Sequence, residues 1–494
     1  MLRSTTLLIF LFLLLIPACS AQNPYYPDFD YNYNVKTADW QEAIQIIRPA
    51  CRSEIQGITQ VEFVAHGMRG AKAMCWQQPT DAYPNPSGHD ADLTPEGIQL
   101  AASGDGSFAF NADTLPAGPL NIRIFTQSQE GKKDIFELQL YNKNGVVWSG
   151  IPDTDPPAAL AAGLHLAYTD DFNAPLSISG NGKGARYSAS PLRGNFSGWP
   201  FVKPDDPKGN PFSQTDTYLK IAARKTDPNA ANGTTGFIAS IDVDGNGNWY
   251  SPPCYLECRF TAQSATGTWP SFWTLTYATA GPPGDELDVI EGYGGVGKNY
   301  TGKDNPNHPG YTVGTHFHGQ GKSPDHVYRR LAMRDVGNHS YWSTTFHTYG
   351  VYVGLDKTTY YLDDVEIFSH DTNIYSKEHP LYFMINYAIG GQSGWAIDLS
   401  RYNNGTDMYV DYVRVYDSFG GVNIQPIAET TGRVTSSGGV LHIDTDQAAL
   451  LSVYTITGAI RIQKRIPGGK TDIPLPAGFY IVKLNDSVYK IRLM

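Results

Sequence analysis

Short alternating runs of apolar and polar residues recur along most of the chain, and this pattern constrains its fold more than any other feature. Examples from the first third are "TQVEFVAH", "GSFAFNAD", "LNIRIFTQ" and "FELQLYN", which are separated by turn residues. A period of two is typical of half-buried β-strands, and no long stretch carries the helical period. The low share of charged residues (17%), with 50 Gly, 33 Pro and 31 Tyr, also favours turn-rich β-structure over helical bundles. The sequence therefore predicts an all-β protein.

A chain of 494 residues is too long for one ordinary core, so we expect two or three domains. Residues 28–148 predict a small β-sandwich, and the Pro-rich stretch 149–163 reads as a linker. A larger β-rich region follows at 164–417. A second linker at 418–432 precedes a last set of short strands at 433–494.

The N-terminus has the pattern of a secretory signal peptide. It contains a basic Arg3 and an apolar run from Leu7 to Ile16 that is too short to span a bilayer. Cleavage after Ala21 would release residues 22 onward as a soluble chain, which makes 1–21 the signal peptide. The alternative is a lipobox, "IPAC", with acylation of Cys19. Both alternatives predict an exported protein.

The net charge and the Trp content limit which classes of molecule the protein is suited to bind. A net charge of −11 argues against nucleic acid and anionic membranes as partners, whereas nine Trp favour a neutral carbohydrate.

Cys51 and Cys75 are able to pair in an oxidising compartment. Cys254 and Cys258 lie ~13 Å apart on an extended strand, beyond disulfide reach, so we expect two buried thiols.

The stretch "GDELDVIEGYGG" places Glu286, Asp288 and Glu291 on an otherwise apolar strand. On a regular strand Glu291 faces away from the other two, but one β-bulge after Asp288 turns it back to their side. The Glu286 and Glu291 carboxyls then lie within roughly 5 to 6 Å, near the separation in retaining glycosidases. Asp288 between them would split their pKa values. A solvated edge strand and an acidic metal site are the alternatives.

The segment "DELDVIE" resembles the E-x-D-x-x-E signature of glycoside hydrolase family 16, in its bulged form found in laminarinases, agarases and κ-carrageenases. Other strands resemble the family in the same order, among them "YLECRFTAQSATGTWPSFW", "TTYYLDDVEIF", "PLYFMINYAIGG" and "MYVDYVRVYD". The resemblance implies a β-jelly-roll sandwich with Glu286 as nucleophile and Glu291 as general acid/base. Asp411 resembles a structural calcium ligand of some members, and no other cofactor is expected. Val353 and the "HFHG" sequence depart from the family pattern, which bears on substrate identity.

Several residues near the acids are candidates for substrate binding. Trp269 and Trp273 share a strand face, where they stack on sugar rings or pack in the core. His316 and His318 also share a face, which suits hydrogen bonds to sugar hydroxyls or Glu286; a metal site would need a third ligand. Asn386 faces the cleft or caps a turn, and the resemblance favours the cleft. The EF-hand-like "DVDGNGN" lacks the final Glu and predicts a hairpin turn.

The flanking regions predict different roles. Residues 28–148 are an immunoglobulin-like spacer or a carbohydrate-binding module, and no binding motif favours the second. Residues 433–494 resemble the sorting domain of the Bacteroidetes type IX secretion system. That resemblance implies passage through the secretion machinery to the outer surface or exterior of a Gram-negative bacterium, and we expect a monomer.

The overall prediction is a retaining endo-β-glycosidase acting on a polysaccharide, with a non-catalytic glycan-binding protein as the competing class. No Lys or Arg occurs from Trp269 to Gly297, which favours a neutral β-1,3-glucan over sulfated galactans. Agar-type galactan comes second, with porphyran and carrageenan as further alternatives. The nearest basic cluster, Arg329, Arg330 and Arg334, follows a long loop.

Overall fold

A computed structural model describes residues 37–77, 89–146, 155–192, 194–277, 283–295, 310–338, 340–418, 432–445, 448–455, 460–484 and 487–493. It confirms the all-β prediction, with short strands in antiparallel sheets throughout. The chain divides into two compact units, residues 1–164 with 169–418, and residues 165–168 with 419–494. The predicted signal peptide and Cys19 lie outside the described residues. No helix within the described ranges is long and apolar enough to cross a membrane.

Two sheets form the first part of the larger unit, which we call the N-terminal module (residues 37–146). One has the order β1-β3-β7 and the other the order β2-β9-β8-β4-β5, with β6 beside β4. The strands are β1 (Ile44–Arg48), β2 (Glu54–Ile55), β3 (Ile58–Ala65), β4 (Gly70–Gln77), β5 (His89–Asp92), β6 (Ile98–Gln99), β7 (Asp105–Asn111), β8 (Gly118–Gln127) and β9 (Lys133–Asn142); 3₁₀ turns cover Thr37–Asp39 and Ala112–Thr114.

The rest of the larger unit contains a two-sheet β-sandwich, the jelly-roll architecture that the resemblance implied. The front sheet has the order β11-β12-β15-β24-β17-β18-β19-β20, and the back sheet β13-β14-β25-β16-β21-β22-β23. Its strands up to the acidic segment are β10 (His165–Asp170), β11 (Ile178–Ser179), β12 (Tyr187–Ser188), β13 (Phe212–Thr215), β14 (Tyr218–Arg224), β15 (Phe237–Ala239), β16 (Cys254–Ala262), β17 (Thr268–Leu275) and β18 (Gly284–Gly292). Those after it are β19 (Gly310–His318), β20 (His326–Ala332), β21 (His347–Val353), β22 (Lys357–Leu362), β23 (Val365–Asp371), β24 (Tyr382–Ile389) and β25 (Gly405–Asp417).

Short helices connect these strands. The α-helices are α1 (Pro157–Ala161), within the stretch read as a linker, and α2 (Ile374–Glu378); 3₁₀ turns cover Met333–Val336, Gly391–Ser393 and Ser400–Tyr402. The predicted turn at "DVDGNGN" is confirmed, because the Asp242 carboxylate accepts from the main-chain N–H groups of Asp244 and Asn246.

The two sheets of the sandwich pack face to face. Tyr360 of β22 reaches across from the back sheet, where its hydroxyl donates to the Gly314 carbonyl at 2.7 Å and lies 2.8 Å from Thr315 Oγ1. Strands β16, β17 and β24 are buried along their whole length, which means that both of their faces are covered. The polar residues of these strands, such as Glu257, Ser271 and Asn386, are therefore buried as well.

The N-terminal module docks on the β-sandwich through buried polar and aromatic contacts. Asp134 of β9 accepts from Arg401 at 2.5 Å, and the Gln139 side chain pairs with the main chain of Asp407 at 3.1 and 3.2 Å. Tyr141 packs with Phe346 and Tyr409 in a small aromatic cluster. Because these groups leave water together, the module and the sandwich form one continuous packed body rather than two domains joined only by a linker.

All four described cysteines are buried free thiols. The pairing considered for Cys51 and Cys75 is therefore wrong in this structure. Cys75 lies on β4 and directs its sulfur to the Trp76 carbonyl at 3.4 Å, whereas Cys51 follows β1, a strand of the other sheet. Burial raises the pKa of Cys51 to about 11, which keeps it as an unreactive thiol. The expectation that Cys254 and Cys258 stay reduced is confirmed.

The C-terminal unit holds two small sheets around a core of its own. The orders are β26-β27-β30 and β29-β28-β31-β32, and Leu441, Leu451 and Val482 are fully buried between them. The strands are β26 (Gly432–Ser437), β27 (Val440–Thr445), β28 (Ala449–Thr455), β29 (Ile460–Ile466), β30 (Gly469–Pro474), β31 (Gly478–Leu484) and β32 (Ser487–Leu493).

Candidate active site

Strand β18 carries the predicted bulge. Asp288 pairs with Gly314 of β19, and the next paired residue, Glu291, lies opposite Thr312. Three steps along β18 therefore match two steps along β19, so one residue is extra and Glu291 turns to the side of Asp288. The bulge prediction is confirmed.

Strand pairing shows which neighbours share the face of the acids. On β17, Leu275, Trp273 and Ser271 lie opposite Glu286, Asp288 and Glu291 in that order. On β19 the partners are His316, Gly314 and Thr312. Since paired residues of adjacent strands share a face, all three carboxylates project from one side of the front sheet. We call this side the acidic face.

Glu291 is partly buried beside Tyr293. Burial, reinforced by the negative charge of Glu286, raises the pKa of Glu291 to about 7. The Tyr293 hydroxyl opposes this shift by donating to Glu291 Oε1 at 2.8 Å. The indole N–H of Trp269 also lowers the pKa of Glu291, although it does not reach the geometry of a full hydrogen bond. A carboxyl with this pKa holds or releases a proton near neutral pH, as a general acid/base must.

Two histidines lie beside the other acids. His318 Nε2 is 3.1 Å from Glu286 Oε2, and His316 Nε2 is 3.5 Å from Asp288 Oδ2. The contact between His318 and Glu286 is one of the two interactions expected from the sequence. Burial lowers the pKa of His316, which favours its neutral form. A hydrogen bond from His318 would favour the ionised form of Glu286, as a nucleophile requires.

The structure also brings together the third ligand that a metal site would need. One ligand atom each from Glu286, Asp288 and His316 lies within 4.8 Å of the other two. The same closeness is what paired catalytic carboxylates need, so it does not by itself favour a metal over acid–base chemistry.

The two tryptophans lie on the acidic face but are largely covered. Trp269 and Trp273 keep 9% and 7% of their surface exposed, because Phe196 contacts both rings edge-on at 5.6 Å. Asn386 is fully buried; it accepts from the Trp273 indole N–H at 2.8 Å and donates to the Trp269 carbonyl at 3.3 Å. These contacts make Asn386 a support for the two tryptophans.

The opposite edge of the acidic face is open and carries a cation. The pairing of β19 with β20 places His326, Tyr328 and Arg330 on this face, with Arg330 opposite Thr312. Tyr328 is 43% exposed, and the Arg330 guanidinium lies 5.5 Å from its ring centre. Arg329 points the other way and donates to the Ile367 carbonyl. The basic cluster of the sequence is therefore divided, because Arg330 lies on the acidic face and Arg329 does not.

Aromatic residues also decide where the face is accessible. Phe196, Phe201 and Trp249 pack onto the part of the front sheet formed by β15, β24 and β17. The accessible surface beside the acids consequently lies over β18, β19 and β20. Sequence reasoning missed Tyr293, although its position two residues after Glu291 was a signal. It also missed Tyr328 and left open whether Arg330 reaches the acids, because strand pairing across a long loop cannot be read from one sequence.

Asp411, the residue considered for calcium, lies on the back sheet. Its Oδ2 atom accepts from the Arg259 guanidinium at 2.7 Å. The arginine already supplies a positive charge at this carboxylate, which lessens the need for a metal ion there.

Comparison with known protein families gives a match that includes the acidic strand. Residues 248–414 match the family model described as glycosyl hydrolases family 16. No curated protein matches the sequence. Among solved structures, the laminarinase catalytic domain from Thermotoga petrophila RKU-1 is 17% identical with a TM-score of 0.38, over 51% of this chain and 98% of that chain.

Two further structures give similar values. Laminarinase from Flavobacterium sp. UMI-01 is 22% identical (TM-score 0.37, 51% of this chain, 100% of that chain). Endo-β-1,3-glucanase from Pyrococcus furiosus is 20% identical (TM-score 0.37, 51% of this chain, 94% of that chain). These likenesses are distant. The family match at residues 248–414 and the geometry of the site therefore carry the functional conclusion.

The environment of Glu291 makes a prediction for Tyr293. Replacing Tyr293 by Phe removes a hydrogen bond that stabilises the carboxylate, so the pKa of Glu291 should rise further. Infrared difference spectra of the protonated carboxyl band, recorded between about pH 5 and 9, measure this titration, and Glu291→Gln identifies the band. Tyr328→Phe is the matched control, because that exposed ring belongs to β20. An unchanged or lower pKa in Tyr293→Phe would contradict the assignment.

Proposed function

We propose a retaining endo-β-glycosidase mechanism for this chain, which is a glycoside hydrolase with a family 16 domain at residues 248–414. The observation that carries the proposal is the bulge in β18, which places Glu286 and Glu291 on one face of the sheet. Their environments differ as the two catalytic roles require. Glu286 lies beside His318, whereas burial raises the pKa of Glu291 to about 7.

In the first step, a Glu286 oxygen attacks the anomeric carbon while Glu291 gives its proton to the departing glycosidic oxygen. The carbon–oxygen bond to the leaving sugar breaks as a glycosyl ester forms on Glu286. In the second step, Glu291, now a carboxylate, removes a proton from water, which attacks the same carbon and frees Glu286. Asp288 lies between the two glutamates and beside His316.

We propose a β-1,3-glucan as the first candidate substrate, because the sequence segment around the acids, from Trp269 to Gly297, contains no Lys or Arg. A specific observation favours the second candidate, an agar-, porphyran- or carrageenan-type galactan. Arg330 lies on the acidic face at its open edge, where a guanidinium is suited to receive a sulfate ester. The competing class, a non-catalytic glycan-binding protein, would have no need of three clustered carboxylates.

We also propose that the protein is exported and that its C-terminal segment serves as a sorting signal. The support is the signal-like pattern of residues 1–21 and the resemblance of residues 433–494 to a type IX sorting domain. The separate core of the C-terminal unit agrees with such a role.

Mass spectrometry of the mature N-terminus distinguishes a diacylglyceryl group on Cys19 from a free Gln22. An uncleaved chain would contradict export through a signal peptide.

The two glutamates should respond differently to substitution. Glu286→Gln should lower hydrolysis by at least about 10³-fold while glycan binding survives, because it removes the nucleophile but keeps the shape of the site. Glu291→Ala should slow natural glycans strongly yet spare substrates whose leaving group needs no proton. Added azide should rescue this variant and give a β-glycosyl azide, identified by NMR. An α-azide would mean that the two roles are exchanged, and near-native rates in Glu286→Gln would exclude it as nucleophile.

Arg330 separates the two substrate candidates. Purified enzyme assayed on laminarin, lichenan, agarose, porphyran and κ-carrageenan, with the products sized, should be most active on laminarin if the glucan assignment holds. On laminarin, Arg330→Ala should then change kcat/KM by less than about threefold, since no charged substituent is bound. Activity confined to a sulfated galactan, with a loss of at least about 10-fold in Arg330→Ala, would instead favour the second candidate. Arg414→Ala, on the back sheet, serves as a control for the loss of one cation.

A further inference from the structure

A carboxyl of the N-terminal module is buried against the family 16 region. Glu137 of β9 is 1% exposed, and its Oε2 atom accepts from the main-chain N–H of Ser264 at 3.0 Å. Its Oε1 atom accepts from Ser343 Oγ at 2.5 Å, and its carbonyl accepts from Gln263 Nε2 at 2.7 Å. Burial raises the pKa of Glu137 to about 8. An oxygen remains available to the Ser264 N–H whether this carboxyl is protonated or ionised.

The segment held by Glu137 is the turn between β16 and β17, residues 263–267. Within it, Ser264 Oγ accepts from the N–H of Gly295 at 2.9 Å. At the start of β17, the Thr268 carbonyl accepts from the N–H of Gly294, also at 2.9 Å. These two glycines follow β18, the strand of the acids. The turn and the start of β17 therefore hold the exit of the acidic strand by one hydrogen bond each.

This contact is too close to admit a side chain. A Cβ atom at Gly294 would lie 2.0 Å from Thr268 Oγ1, and one at Gly295 would lie 2.4 Å from the Thr266 Cα. Gly295 also has a φ of +73°, which residues other than glycine rarely adopt. The two glycines therefore pack closely against the turn and Thr268, which leaves little room for the turn to move independently of them.

Tyr293 connects this contact to Glu291. It precedes Gly294, its hydroxyl donates to Glu291, and its ring stacks on Trp269 with 5.6 Å between centroids and 25° between planes. Trp269 itself follows Thr268. The two groups that lower the pKa of Glu291, the Tyr293 hydroxyl and the Trp269 indole, are thus both one residue away from the contact between turn and strand.

We propose that Glu137 is a positioning residue for the acid/base Glu291, acting through the 263–267 turn, Gly294 with Gly295, and then Tyr293. This inference depends on the role proposed above for Glu291. It gives the N-terminal module a part in the chemistry, beyond the spacer role expected from its sequence. Glu137 does not touch substrate; it fixes the turn from which the partners of Glu291 are held.

The test compares two substrates of one glycan chain. One is the natural oligosaccharide, whose leaving oxygen needs a proton, and the other is its dinitrophenyl β-glycoside, whose leaving group does not. Glu137→Ala should lower kcat/KM for the natural substrate at least about 10-fold and change kcat/KM for the dinitrophenyl glycoside less than about twofold, because kcat/KM reports the first step, in which Glu291 acts as the general acid. Glu137→Gln, whose amide oxygen still accepts from the Ser264 N–H, should recover most of the rate.

The pH profile of kcat/KM is a second measurement. If Glu137 had a purely structural role, its replacement would leave this profile unchanged. Tyr293, Trp269 and Glu286 act directly on Glu291, while Asp288 and Arg330 act on Tyr293. If Tyr293 and Trp269 move away in Glu137→Ala, the pKa of Glu291 rises. The basic limb of kcat/KM for the natural substrate should then move to higher pH.

Two further variants keep the result interpretable. Gln139→Ala breaks contacts of the same strand with Asp407 on the back sheet, so it tests loss of docking without loss of the Ser264 contact. It should lower the melting temperature and leave the ratio of the two substrate rates unchanged. Ser264→Ala keeps the main-chain bond to Glu137 but removes the acceptor for Gly295, and it should reproduce the pattern of Glu137→Ala even if that variant fails to fold.

The inference is overturned if Ser264→Ala, or a folded Glu137→Ala, slows both substrates equally or leaves the basic limb in place. Failure of the proposed mechanism looks different. In that case Glu291→Ala itself would slow the dinitrophenyl glycoside as much as the natural substrate, whatever the Glu137 variants do.

Discussion

One extra residue between Asp288 and Glu291 determines what the acidic strand is able to do. Without it, Glu291 would face the space between the two sheets, where an ionised carboxyl without a partner is costly. With it, three carboxylates share one face, and their mutual repulsion becomes useful. Burial and then the charge of Glu286 raise the pKa of Glu291, and the partners Tyr293 and Trp269 keep that rise moderate. The pairing of β17 and β19 with this strand determines which other side chains reach the acids.

The front sheet is built unevenly around this strand. On the side of β17, β24 and β15, aromatic rings cover the face, and a buried Asn386 orients the Trp273 indole. On the side of β19 and β20 the face stays accessible and carries imidazoles, Tyr328 and a guanidinium. A glycan lying over the acids would therefore meet a rigid apolar wall on one side and polar, chargeable groups on the other. Such a division orients a chain whose sugar rings have apolar faces and polar edges.

The sequence predicted the elements with local signals. Period-two alternation indicated the strands, and three acids on an apolar strand required a bulge to share a face. It was weaker where the answer depends on which strands become neighbours. Arg330 follows a long loop in the sequence, which leaves its distance from the acids open, and strand pairing places it two strands from Glu291. Asn386 was expected to face the cleft, and its pairing with Ser271 places it on the acidic face, but it is fully buried there and accepts from an indole N–H. Cys51 and Cys75 lay within one predicted domain, but both are buried there as free thiols.

The burial of Glu137 and Gln139 against the sandwich has a practical meaning for the borders of the enzyme. A fragment cut at the start of the sandwich would expose Phe346 and Tyr409 to water and leave Ser264, Ser343 and Asp407 without the partners they have in the whole chain. The working enzyme is consequently longer than the segment that bears the family signature. Exchange of the N-terminal module for an unrelated one, as occurs among domains joined by free linkers, would here replace part of the catalytic framework.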